Sequence, residues 1–172
     1  LIPDYKFEKA KVIVSFGADF LGTWISPVEY TKAYTAGRKV LDKNDEMSRH
    51  YQFESGMTLT GSNADVRLPI KPSEEKAIIT ALHAALMKAK GFEVSAAVSP
   101  VDIKDLVDEL LENEGKTLII SGSNDTNTQL LVNSINNLLG NYGSTIELRR
   151  TVNTKQGIDA EFETFISDLK AG

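Results

Sequence analysis

The chain has no cysteine. Within these residues that excludes disulfides, thiolate-held iron–sulfur clusters, covalent haem attachment and a cysteine nucleophile. It leaves the redox compartment open, because a cysteine-free domain is compatible with either. Histidine is nearly as scarce, with only His50 and His83. His83 falls between core positions of a helical pattern, and His50 follows Arg49 with no carboxylate or cysteine at metal-ligand spacing, so both read as structural. Cations are outnumbered: 19 Lys and Arg against 24 Asp and Glu give a net charge of −5. That argues against nucleic acid as the main partner, since neutralising phosphates needs clustered Lys and Arg. No stretch approaches the ~20 apolar residues of a membrane span, and no signal-peptide pattern is visible at Leu1. An initiator methionine is also missing, and the sequence stops in a helix-like tail at Ala171 and Gly172. The expectation is one domain over residues 1–172, cut from a longer chain.

What is present is an ordinary globular composition, 41% hydrophobic and 25% charged over 172 residues, enough for one α/β domain. Residues 11–24, KVIVSFGADFLGTW, organise it. Val12, Ile13, Val14 and Phe16 form a run that is apolar on both faces, as a buried parallel strand requires, and Gly17 is the tight turn that ends it. Residues 117–120 repeat the pattern before Ser121, Gly122, Ser123, Asn124 and Asp125. Both runs are expected in the interior of a parallel sheet, with ligands or partners docking at the loops that follow them.

Between these strands the chain punctuates itself. Ser26-Pro27-Val28-Glu29 has the form of a capping box, Ser73 caps a helix with Glu74 and Glu75 in its first turn, and Ser99-Pro100-Val101-Asp102 repeats the Ser-Pro cap. Ile78, Ala81, Leu82, Ala85 and Leu86 mark one apolar face, and Ile103, Leu106, Val107, Leu110 and Leu111 another. A third helix buries Leu130, Leu131, Ile135, Leu138 and Leu139, and a last one, residues 158–169, turns Phe162, Phe165 and Ile166 inward. Residues 50–53, 64–70 and 145–148 are the remaining extended segments. Alternating strands and helices predict an α/β three-layer sandwich with a mostly parallel, Rossmann-like sheet.

The chemistry-bearing patterns are incomplete. FGADF is not GxGxxG, SGSND lacks the Lys-Ser/Thr of a P-loop, and no serine sits in GxSxG. Asn124 and Asp125 suit a turn. Asp42, Asp45 and Glu46 form a solvated acidic loop, with divalent-cation binding the less favoured reading. Trp24, the sole tryptophan, is expected to pack behind the loop.

The order of segments carries more. FEKAKVIVSFGADFLGTW, MSRHYQFES, TLTGSNADVRLPIKPSE, LIISGSND and NSINNLLGNYGSTIEL, taken in sequence, resemble the molybdopterin-oxidoreductase superfamily, whose large subunits bind a bis-pterin guanine dinucleotide. In that family a strand leads into a Gly-Ala-Asn/Asp loop, as at residues 17–19. A Thr-Gly-x-x-Ala-Asp-x-x-Leu-Pro-Ile segment matches residues 60–70, and a helix ending in Leu-x-Gly-Asn-x-Gly matches the chain through Leu139 to Gly143. Residues 18–21, 48–54 and 64–69 are most similar to the branch that forms the iron–sulfur, molybdopterin-oxidoreductase-like subunit of bacterial alternative complex III.

The resemblance implies a set of pterin-site positions: Gly17, Asp19, Glu54, Thr60, Ser73, Glu74 and Gly122. Two segments depart from it. Phe53-Glu54-Ser55 replaces Val-Asp-Pro-Arg, and Pro72-Ser73-Glu74-Glu75 replaces Pro-Gly-Thr-Asp, which sets carboxylates where a phosphate cradle needs amides. The implied domain is therefore a vestigial, catalytically silent scaffold without cofactor. Its iron–sulfur clusters would lie elsewhere in the subunit, with cytochrome c and quinol-site membrane subunits as partners on the periplasmic face of the bacterial inner membrane. The alternatives are the bis-pterin-binding domain of an active molybdenum enzyme and a free-standing nucleotide-binding module.

Overall fold

The computed structural model describes residues 2–42, 46–152 and 158–171. It begins with strand β1 (Ile2–Tyr5) and a 3₁₀ turn at Phe7–Lys9, then β2 (Val12–Phe16), helix α1 (Pro27–Ala36), β3 (Arg49–Glu54), the short α2 (Leu59–Ser62) and β4 (Val66–Pro69). A 3₁₀ turn at Pro72–Glu74 leads into α3 (Glu75–Ala89), followed by α4 (Lys104–Glu112), β5 (Thr117–Ser121), α5 (Thr126–Leu138), β6 (Ile146–Val152) and α6 (Asp159–Ala171). The protein is α/β, with four parallel strands in the order β4-β3-β2-β5 and helices on both faces. From β2 the chain steps outward to β3 and β4, then crosses back to β5 on the other side. The switch in direction lies between β2 and β5, where Gly17 and Gly122 follow the strands.

Strand alternation divides the core in two. Val12, Val14, Phe16, Tyr51, Phe53 and Ile119 face Ile78, Leu82 and Leu86 of α3, Leu106 and Leu110 of α4, and Val132 and Ile135 of α5. Ile13, Leu118 and Ile120 face the other way, toward Phe7, Phe20, Tyr30, Tyr34 and Ile146. Phe16 and Phe53 stack across neighbouring strands with centroids 4.8 Å apart.

Several expectations need correction. β2 is interior, but β5 is the last strand of the sheet. It is fully buried all the same, because side chains take the place of a further strand. The Asn136 Oδ1 accepts from the Ile119 N–H at 3.1 Å, and its Nδ2 donates to the Ile119 carbonyl at 2.8 Å. Thr145 Oγ1 donates to the Thr117 carbonyl and Gln129 Nε2 to that of Ser121. The predicted strand near residue 145 is β6, which pairs antiparallel with β1 in a separate two-stranded ribbon.

Two helix starts also shift. α1 begins at Pro27 with Ser26 at its N-cap position, as expected, although the Ser26 hydroxyl donates to Glu29 rather than accepting from the backbone. Ser73 is exposed and does not cap α3: Glu74 instead accepts from the Lys71 N–H and closes the 3₁₀ turn. α4 begins at Lys104, after Asp102 has accepted its N–H. Leu130 is exposed, and so are Phe162 and Phe165 of α6, whose inward placement is overturned. Asp45 of the acidic loop lies outside the described residues.

Candidate functional site

The carboxyl ends of β2 and β5 are where an α/β sheet with this order binds its ligand. Here the two turns touch. Gly17 sits at φ +62°, and its N–H donates to the Phe53 carbonyl at 2.8 Å. Gly122 N–H donates to the Phe16 carbonyl at 2.9 Å, and a Cβ at Gly122 would fall 2.7 Å from the Gly17 carbonyl oxygen. Position 17 thus needs glycine for its left-handed backbone, and position 122 for close approach. The crevice between the strands is shut by main chain.

On the β3 side, two carboxylates converge on the sequence TLTG. Glu54 ends β3 with its side chain 3% exposed. It accepts from Thr58 Oγ1 at 2.7 Å, Thr58 N–H at 3.2 Å, Gln52 Nε2 at 3.2 Å and Arg67 Nε at 2.6 Å. Burial pushes the Glu54 carboxyl up, but the hydrogen bonds from Thr58, Arg67 and Gln52 outweigh it and hold the group below the usual carboxylate range. Asp19 accepts at one oxygen from both Thr60 N–H (3.1 Å) and Thr60 Oγ1 (2.8 Å). Its carbonyl takes the N–H groups of Gly22, Thr23 and Trp24. The first turn of α2 thereby anchors both loops.

A third carboxylate stands over the switch point. Glu75 Oε1 accepts from Ser121 Oγ at 3.1 Å, and Oε2 lies 3.4 Å from where a Cβ on Gly17 would be. Burial raises the Glu75 carboxyl, partly offset by the Ser121 bond. Of the seven positions singled out from sequence, Gly17 meets Gly122, Asp19 meets Thr60, and Glu54 joins them through Thr58. Ser73 and Glu74 stay outside in their 3₁₀ turn, and of the two carboxylates read in this segment only Glu75, at the start of α3, reaches the switch point. Thr58 and Arg67 were missed as partners of Glu54.

Three further loop amides are also engaged. Ser123 N–H donates to Ser121 Oγ, Asp125 N–H to Ser123 Oγ, and Thr128 N–H to Asp125 Oδ1 at 2.8 Å, the N-cap of α5. Arg67 is held by Glu54, and Lys76 lies 3.7 Å from Asp125. A cleft of about 480 Å³ along this crest is lined by Gly17, Glu75, Lys76, Gly122 and Asp125. A pyrophosphate needs net positive charge beside its N–H donors; Glu75 and Asp125 against Lys76 give this lining the opposite sign, so it does not suit one.

His50, fully buried, has Nδ1 3.1 Å from Tyr34 Oη and Nε2 3.3 Å from Gln52 Oε1. Burial pulls its pKa down to about 4. His83 Nε2 bonds Ser134 Oγ at 2.8 Å. No group of three or more His, Cys, Asp or Glu among the described residues is arranged to hold a metal ion.

The opposite side of the switch point differs. A cleft of about 700 Å³ lies between Tyr5, Trp24, Ile25, Asn124, Tyr142 and Leu148, and no charged side chain among the described residues lines it. Trp24 packs on Tyr5 and Tyr30, with centroids 5.4 and 5.8 Å apart, so it forms a wall of the cleft as well as packing behind the loop. Ile25 has φ +51°, a strained backbone for a β-branched residue, costing about 1–3 kcal/mol.

No protein-family model matches the chain, and no curated protein matches it in sequence.

Proposed function

We propose that this chain is a catalytically silent scaffold of molybdopterin-oxidoreductase type, within the iron–sulfur subunit of a respiratory quinol:electron-acceptor oxidoreductase of the alternative complex III kind. The observation that supports it most is the self-satisfied crest. Asp19, Glu54 and Glu75 stand at the carboxyl ends of the strands, and the amides of Thr58, Thr60, Ser123 and Thr128 donate to the protein's own side chains. Each carboxylate within about 4 Å of a phosphate costs on the order of 1–4 kcal/mol, depending on local screening. The domain contributes packed surface, and electrons travel through clusters in other parts of the subunit. Cytochrome c and quinol-site subunits are its neighbours, on the periplasmic face of a bacterial inner membrane.

The rival, a live bis-pterin domain, draws on the uncharged cleft at Trp24, which has room and no acids. Elemental analysis of the purified full-length subunit separates the two. The scaffold reading expects iron without molybdenum or tungsten. Stoichiometric molybdenum with extractable pterin would overturn it and promote the rival.

A further inference from the structure

Helix α6 presents an apolar stripe to solvent. Ile158, just before it, and Phe162, Phe165 and Leu169 are 59%, 64%, 54% and 63% exposed. They are spaced 4, 3 and 4 residues apart, which places them in one line along the helix. The rings of Phe162 and Phe165 lie 6.5 Å apart, so the two anchors sit together. A helix of this length is marginal in water without packing, and a contiguous aromatic stripe of this kind marks an interaction surface.

We propose that α6 docks, through this stripe, into an apolar groove rimmed by Lys and Arg on another polypeptide. Charge selects that occupant. The helix carries Asp159, Glu161, Glu163 and Asp168 against the single cation Lys170. Glu161 and Asp168 each immediately precede a stripe residue and stand exposed beside it. A membrane-surface helix carries Lys and Arg on its polar face; this face is acidic and is repelled by anionic lipid. A second copy is disfavoured as well. Antiparallel pairing sets Glu161 of one helix against Asp168 of the other, and in parallel the stripe is shorter than two heptads, too little for a free coiled coil. A groove with a basic rim instead takes the two phenylalanines as helix-in-groove anchors and pairs with the flanking carboxylates. The inference rests on α6 alone and does not require the function proposed above.

The test uses the full-length protein in its native cells, with the photo-crosslinking residue p-benzoylphenylalanine placed at Phe162, at Phe165 or, as a control off the stripe, at Thr164. Crosslinks from positions 162 and 165, and not from 164, should map to a different polypeptide within a few residues of Lys or Arg. Adding Glu161→Lys and Asp168→Lys should lower the yield about tenfold while the melting temperature of the chain stays unchanged. Crosslinks to this chain itself, to a second copy or to phospholipid would overturn the proposal. So would no crosslink at all, or a yield indifferent to the charge reversal.

Discussion

The crest of the sheet and helix α6 use their side chains in opposite ways. At the crest, Asp19, Glu54, Thr58, Thr60 and Arg67 spend their side chains on one another. On α6, four apolar side chains remain uncovered. In α/β proteins the carboxyl end of the sheet is the habitual place of recognition. In this chain that place has turned inward, and helix α6 carries its apolar side chains on the outside. The difference supports a domain that works by being held rather than by holding.

The comparison breaks most readily at Arg67. Arg67→Ala leaves the Glu54 carboxylate buried without its cation, and unfolding in urea should show a loss of about 3–5 kcal/mol. Unchanged stability would mean that the crest is not a closed network.

Acid tests the same region through His50. Its folded pKa of about 4 lies below the unfolded value of about 6.5, so the unfolded chain binds the proton first as pH falls. The stability that depends on neutral His50 is complete above pH ~6.5 and is lost toward pH ~4, on the order of 3 kcal/mol in all. Arg38 also disfavours the charged ring, whereas Gln52, Asp65 and Glu54 favour it. The carboxyls of Glu54 and Asp65 are held low by their hydrogen bonds and add their own losses at more acid pH. Denaturation midpoints of wild type and His50→Gln between pH 7 and 4.5 measure this step. An unaltered slope in the variant would remove His50 from the account.

The smallest effect sharpens the contrast from the other side. Phe162→Ser with Phe165→Ser should change the stability of the isolated chain by less than about 0.5 kcal/mol, whereas Phe53→Ala in the stacked core should cost about 3–5 kcal/mol. A cooperative loss from the α6 pair, seen by calorimetry, would place that helix in the body of the fold.

The sheet was largely legible in the sequence, since Val12–Phe16 and residues 117–120 could only be buried strands and the stripe from Ile78 to Leu86 only a helix face. The edge position of β5 was not. A strand buried by side-chain caps has the same apolar pattern as one buried by neighbouring strands. The available signal was the cluster of amides in NSINN and Asn141, too polar for a helix facing a core unless the amides bond main chain. The burial assigned to Phe162 and Phe165 failed for a related reason: periodicity shows that a helix has an apolar face, not that the same chain covers it. At the site, Gly17 and Gly122 were foreseen as a turn and a loop, but their mutual contact depends on strand order, which no local pattern encodes. Glu75 was legible as a carboxylate of its segment, but that it rather than Glu74 reaches the switch point depends on the 3₁₀ turn before it.

The amide seal along β5 has a consequence for growth. A parallel sheet can recruit a further strand wherever its outermost main chain still offers a ladder. Here the Ile119 N–H and C=O and the Thr117 and Ser121 carbonyls are already taken, so an incoming strand would have to evict Asn136, which is itself held by Asn141. The opposite border, β4, is only four residues long. Sheet extension, the promiscuous route by which chains stick to one another, is therefore resisted by side chains at β5 and by shortness at β4. Any permanent neighbour of this domain has to be recognised by the particular side chains it presents.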